Sequence, residues 1–255
     1  MNRLSGQRVL ITGASSGIGR ETARLFAESG CSLILNGRRE ERLTALQQEL
    51  YSDYPLIEID LLLADVRHEE TISRFFTSYP KTIDILINNA GLALSTDPVH
   101  LGDPNEWRTM IETNIMALLT FTQHVGKRMI RQNSGHIINL GSLAGVETYP
   151  GGTVYTATKH AVRAITMGTK KDFHGTPVRV SSVSPGLVET EFSIVRFRGD
   201  KSKAGQVYHG MDPLTAIDIA EIVHFIASRP VHVNIMDVLV LPVDQSSSQM
   251  VHRKP

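Results

Sequence analysis

At 255 residues, with 41% apolar and 20% charged side chains and a formal net charge of zero, the chain is composed like one large globular domain. Balanced charge without a basic block argues against nucleic acid as a partner, and no apolar run reaches the length of a membrane span. The lone cysteine, Cys31, rules out an intrachain disulfide and reads as a small core residue. Met1–Gly13 lacks a signal-peptide pattern, so a cytoplasmic location is expected.

Arg8-Val9-Leu10-Ile11-Thr12 reads as a short strand running directly into Gly13-Ala14-Ser15-Ser16-Gly17-Ile18-Gly19, after which helical periodicity begins. A strand, a glycine-rich turn and a helix N-terminus make a phosphate site. The glycines admit the pyrophosphate close to the backbone, and the helix end supplies free N–H groups and partial positive charge. The spacing is G-x-x-x-G-x-G. A second strand, Ser32–Asn36, ends in Gly37-Arg38-Arg39. An acidic residue there would bind the ribose diol of NAD; an arginine suits a 2′-phosphate, which points to NADP. Arg38 is the first candidate and Arg39 the second, although both could simply open a solvated helix.

Leu56–Leu63 predicts a third strand, followed by Asp65-Val66, where Asp65 is placed to accept from an adenine amino group or to cap the next helix. Ile83–Ile87 predicts the fourth, closed by Asn88-Asn89-Ala90-Gly91. Asp103-Pro104-Asn105-Glu106 is a helix start, and the helix is expected to run on through Leu119. Asn114 stands among its apolar positions and needs partners if buried. A strand around Ile137–Leu140 ends at Gly141-Ser142.

The next helix carries Tyr155 and Lys159, four residues apart and so on one face. A nearby lysine cation favours the phenolate, which would suit Tyr155 to exchange a proton with an alcohol or carbonyl oxygen. A plain amphipathic helix can carry the same pair. Val178–Val183 predicts the sixth strand, ended by Ser184-Pro185-Gly186. Residues 187–211 lack periodicity and are expected to form a binding loop or lid. Thr215–Asp218 starts a final helix to about Ser228, and Val238–Leu241 is the last strand. The polar stretch 245–255 reads as a flexible or subunit-contacting tail.

Strands and helices alternate without a composition break. A single doubly wound α/β Rossmann domain over residues 1–255 is therefore expected, with about seven parallel strands and helices on both faces. Gly13, Gly37, Asp65, Asn88, Ser142 and Pro185 all follow strands, so they should gather at the C-terminal sheet edge where such folds bind ligands. The ten histidines lack the His-Glu-x-x-His spacing of a metal hydrolase, and no metal site is expected.

Together these residues resemble the short-chain dehydrogenase/reductase family over nearly the whole chain. Thr12-Gly13-x-x-x-Gly17-Ile18-Gly19 looks like its cofactor motif and Asn88-Asn89-Ala90-Gly91 like its motif after the fourth strand. Asn114, Ser142, Tyr155 and Lys159 match its catalytic tetrad in order and spacing. Pro185-Gly186-x-x-x-Thr190, with Val188 inside it, matches the segment that holds the nicotinamide. The resemblance implies Tyr155 as general acid/base and Lys159 as the group that lowers its pKa and holds the nicotinamide ribose. It implies that Ser142 binds the substrate oxygen and that Asn114 holds a water linking Lys159 to solvent.

A closer similarity, in Asn36–Leu43, Pro185–Ser193 and Val195–Asp200, is to the branch of NADP-dependent 3-hydroxy acid dehydrogenases, which implies a small-molecule substrate such as serine and a homotetramer. A substrate carboxylate wants a cation; Arg196 is the candidate and Arg198 the second. The alternatives are a carbonyl reductase for uncharged ketones and a non-catalytic NADP-binding scaffold. The scaffold would be expected to lose part of the tetrad.

Overall fold

The computed structural model describes residues 3–254. One parallel sheet of seven strands carries the fold: β1 (Arg8–Ile11), β2 (Ser32–Gly37), β3 (Ile59–Leu63), β4 (Ile85–Asn88), β5 (Gly135–Leu140), β6 (Val178–Pro185) and β7 (Asp237–Val240). Their order is β3-β2-β1-β4-β5-β6-β7, so the direction of winding reverses beside β1.

Alternation along the strands sends successive side chains to opposite faces. Val9 and Ile11 of β1 join Leu33, Leu35, Ile85, Ile87 and Ile138 in one buried core. Leu10 joins Ile34, Leu86 and Ile137 in the other. Helix α1 (Gly17–Glu28), helix α2 (Glu40–Asp53) and the last helix contribute Phe26, Leu46 and Val223 to the first core. Helix α3 (Glu69–Ser78) contributes Ile72 and Phe76 to the second. Each such aliphatic or aromatic side chain stabilises the fold by about 1.5–3 kcal/mol on full burial. Cys31 is fully buried, and burial pushes its thiol up to about 12.

The third strand is shorter than expected. Leu56 lies 98% exposed ahead of it, because pairing with β2 begins only at Ile59. The helix from Asp103 is also interrupted. Helix α4 (Pro104–Ile111) passes into a π-helical turn, Glu112–Met116, before α5 (Ala117–Arg131), and Asn114 sits in that turn. An extra residue in a helical turn re-aims the side chains around it.

Helix α6 (Thr153–Asp172) precedes β6. The segment expected to form a binding loop or lid holds two short helices, α7 (Glu191–Arg196) and α8 (Lys201–Gln206). Thr190 caps the first by accepting from the Phe192 N–H, and Asp200 caps the second by accepting from the Lys203 N–H. Each has six residues, too few for hydrophobic periodicity to reveal. Helix α9 (Ala216–Ala227) opens with a capping box between Thr215 and Asp218.

Candidate active site

The C-terminal ends of β1, β2, β4, β5 and β6 border one cleft of about 450 Å³. Its phosphate end is the turn after β1. Gly13 and Gly17 adopt positive φ, +68° and +54°, which glycine alone takes without strain. A Cβ on Gly19 would stand 2.5 Å from both the Gly13 carbonyl oxygen and Asn89 Nδ2, so this glycine lets α1 start hard against the turn rather than lining the cleft itself. Ser15, Ser16, Gly17 and Ile18 line the cleft at the start of α1. The chain's own groups thus form an anion cradle that suits a dinucleotide pyrophosphate.

The charged rim differs in emphasis from the sequence reading. Arg39 is lodged: its Nη2 donates to Ser15 Oγ (2.9 Å) and Ser16 Oγ (2.7 Å), and its Nη1 pairs with Glu191 (2.8 Å). Arg38 reaches outward, with 65% of its side chain exposed and only a 3.4 Å contact to Asp65. Asp65 is occupied by Arg67, which donates from Nε (3.0 Å), Nη2 (2.8 Å) and the backbone N–H (3.0 Å). Burial would raise the Asp65 carboxyl, but these bonds prevail and hold it down at about 2. Val66 lines the cleft beside it.

After β4 the neighbours Asn88 and Asn89 diverge. Asn88 turns into the interior and donates to Thr122 Oγ1 (3.1 Å) and Asn139 Oδ1 (2.9 Å), so it braces strand to helix and does not line the cleft. Its side chain, expected among the cofactor contacts, is thus spent on Thr122 and Asn139, on the opposite sheet face from that of Ile87. Asn89 does line the cleft, and its Nδ2 donates to the Thr12 carbonyl at 2.8 Å. Ala90 and Gly91 follow on the wall.

Tyr155 and Lys159 stand on the buried face of α6. The Lys159 ammonium donates to the Leu140 carbonyl at 2.8 Å, and burial lowers its pKa to about 8. Burial dominates and pushes the Tyr155 phenol up to about 12, opposed by the Arg196 cation and by a hydrogen bond with Ser142. The Ser142 hydroxyl also accepts from the Ala144 N–H at 3.1 Å. Asn114 satisfies its polar atoms on protein groups: Oδ1 accepts from the Leu92 N–H (2.9 Å), and Nδ2 donates to the Leu92 carbonyl (2.8 Å) and Thr158 Oγ1 (3.0 Å). Leu92 and Thr158 thus answer the burial of its side-chain amide. It lies behind Gly91, where an added Cβ would be 3.3 Å from Asn114 Oδ1 and 3.6 Å from Lys159 Nζ.

Arg196 closes the other end. Its guanidinium carbon lies 5.1 Å from the Tyr155 ring centroid, 5.4 Å from Phe192 and 5.7 Å from Tyr149, and its Nη2 donates to the Tyr149 hydroxyl at 2.6 Å. Its Nε is buried and has no partner among the described residues. Arg198 points elsewhere and pairs with Glu106 at 2.7 Å. Pro185, Gly186, Val188 and Thr190 form the facing wall.

Several lining residues were missed by sequence reasoning: Tyr149, Phe192, Tyr208, Gln245 and Ser248. Tyr149 precedes Pro150-Gly151-Gly152, a turn signal that marked a loop but not its direction. Gln245 and Ser248 belong to the tail expected to be flexible or subunit-contacting, which is hydrogen-bonded to the domain: Ser248 N–H donates to Glu147 Oε2 at 2.7 Å. Among the described residues there is no group of three His, Cys, Asp or Glu that could hold a metal ion, and no helix is long and apolar enough to cross a membrane.

The sheet order, the glycine cradle and the Ser-Tyr-Lys cluster define a nucleotide-binding dehydrogenase. The chain belongs to the short-chain dehydrogenase family, whose model matches residues 7–200. It is 46% identical over 250 residues to an NADP-dependent 3-hydroxy acid dehydrogenase of Salmonella typhimurium, an alignment covering 96% of this chain and 99% of that one. It is 42% identical over 241 residues to the serine 3-dehydrogenase of Rhizobium radiobacter, covering 93% and 94%. The closed form of a serine dehydrogenase complexed with NADP+ matches with a TM-score of 0.90 at 43% identity, over 97% of this chain and 100% of that structure.

Proposed function

We propose that the protein is an NADP-dependent dehydrogenase of small 3-hydroxy acids such as serine, acting as one catalytic domain. The observation that carries the substrate class is Arg196: a cation over the Tyr155 ring, with a buried Nε free of protein partners, suits a substrate carboxylate. The relatives named for 3-hydroxy acids and serine support the same reading.

In this reading Arg39, with Arg38 and Ser15, would hold the 2′-phosphate, and Gly13–Gly19 the pyrophosphate. Asp65, Val66, Ala90 and Gly91 would border the adenosine and ribose. The bound nicotinamide supplies or accepts the hydride. Ser142 fixes the substrate oxygen beside Tyr155, which takes the hydroxyl proton on oxidation and returns it on reduction. Lys159, brought near neutral pH by burial, can exchange a proton behind Tyr155 and would hold the nicotinamide ribose. Asn114 fixes the Leu92 backbone and, through Thr158, the helix that carries both. With this activity we propose a cytosolic homotetramer, supported by the family resemblance and by exposed Leu119 and Ile130 on α5 and Met167 on α6.

The test is initial rates with L-serine, L-allo-threonine and 3-hydroxypropionate, each with NADP and with NAD. Turnover of the acids with NADP is expected. Reduction of uncharged ketones by NADPH without turnover of the acids would overturn the carboxylate reading.

A further inference from the structure

The lid leaves the domain at Gly186 and returns near Asp212, and the C-terminal segment touches both points. At the first hinge stands Gln245, 5% exposed. Its Oε1 accepts from the Leu187 N–H at 2.9 Å, and its Nε2 donates to the Ser247 carbonyl at 3.2 Å. A Cβ on Gly186 would come within 2.3 Å of that Oε1, so the glycine and the amide are fitted to each other.

At the second hinge Arg253 donates to the Val207 carbonyl at 3.2 Å and to the His209 carbonyl. The Lys254 N–H donates to the Gly210 carbonyl, and its ammonium pairs with Asp212. The Asp212 N–H in turn donates to Asp244 Oδ2 at 2.9 Å. An antiparallel bridge between Gln245 and Val251 closes the segment on itself, so the two attachments belong to one small loop.

We propose that this C-terminal segment is a clasp on the lid, with Gln245 as a positioning residue for Pro185–Val188, the wall that faces the bound nicotinamide. The proposal rests on the NADP reading for what that wall does, but the clasp itself does not. A lid needs hinges, and hinge motion is governed by the bonds made at its two ends. Here those bonds come from a stretch sixty residues removed from the first hinge in sequence, roughly the distance from Gly186 to Gln245. Gln245 offers a carbonyl to an N–H that no strand partner reaches, which fixes the height of the wall over the cleft.

Three proteins test it: Gln245→Ala, Gln245→Glu, and the full chain shortened to end at Met250. Lys201 and Lys203 are exposed in the lid and serve as trypsin sites. Opening of a segment sets its cleavage rate. The shortened chain should be cut in the lid about tenfold faster, with its melting temperature nearly unchanged. Gln245→Ala should weaken NADPH binding, read by nicotinamide fluorescence, by about tenfold, and Gln245→Glu, which keeps an acceptor oxygen for Leu187, should recover part of it. Cleavage and NADPH affinity within about twofold of the unaltered chain would overturn the clasp. If Gln245→Ala does not fold, Arg253→Ala replaces it, with faster lid cleavage expected and an unchanged rate counting against the proposal. An unaltered chain that binds no NADPH would remove the cofactor reading, while the cleavage rates would still decide the clasp.

Discussion

The guanidinium carbon of Arg196 lies 5.1 Å from the centre of the Tyr155 ring, so a cation from α7 faces the proposed general acid/base. It has two effects there. In the proposed reading it would partner a substrate carboxylate, and it opposes the burial that drives the Tyr155 phenol up to about 12.

Replacing Arg196 with Gln should therefore do two separable things. The KM for serine should rise by a factor of about 30 or more, the usual cost of losing a charged hydrogen-bond partner. The pH dependence of serine oxidation should also move to higher pH, because Tyr155 loses the cation that favours its phenolate. Steady-state rates across alkaline pH measure both; an unchanged KM and an unmoved profile would remove Arg196 from the site.

Arg39 should matter more than Arg38 for the cofactor. Arg39 is already folded onto Ser15 and Ser16, whereas Arg38 must be drawn in from solvent. Arg39→Ala should raise the KM for NADP by about ten- to a hundredfold and leave that for NAD little changed, with a smaller effect from Arg38→Ala. The reverse ranking would return the main role to Arg38.

Asp65 should contribute to acid stability. Its folded-state pKa of about 2 lies below the ordinary 3.8, so its stabilisation is fully present above that ordinary value and is lost as pH falls through the lower one. Asp65→Asn should lower the melting temperature at neutral pH and flatten its decline across that acid window. Parallel declines for the two proteins would mean that the Arg67 pairing adds nothing net.

Gly19→Ala should destabilise the fold. The added carbon would meet the Gly13 carbonyl and Asn89 Nδ2 at 2.5 Å, and the backbone oxygen cannot swing aside as a side chain can. A loss of about 1–3 kcal/mol in denaturant unfolding is expected. A variant as stable as the parent would show that α1 can retreat from the turn.

Much of this was legible in the chain because it depends on local order. The short apolar run Val9–Ile11 and the stretch from Thr12 to Gly19 announce a strand, a phosphate turn and a helix in sequence. The spacing of Tyr155 and Lys159 puts them on one helix face wherever that helix packs. Other features escaped because their signals are short or distant. The six-residue helices α7 and α8 are too brief for periodicity, and the π turn at Asn114 looks like continuous helix in the residue pattern.

The sequence by itself determined the alternating α/β order, the cradle of glycines and the identity of the Ser142, Tyr155 and Lys159 side chains, since helix and strand periods carry that information locally. Only the tertiary structure decided which charges meet. It gave Asn88 to Asn139 and Asn89 to the Thr12 carbonyl, gave Arg39 rather than Arg38 to Ser15, and set the distant Arg196 over Tyr155. It also fastened Gln245 to Leu187. The reason is that burial and Coulomb effects act through space, over a few ångströms, between residues that the chain holds far apart.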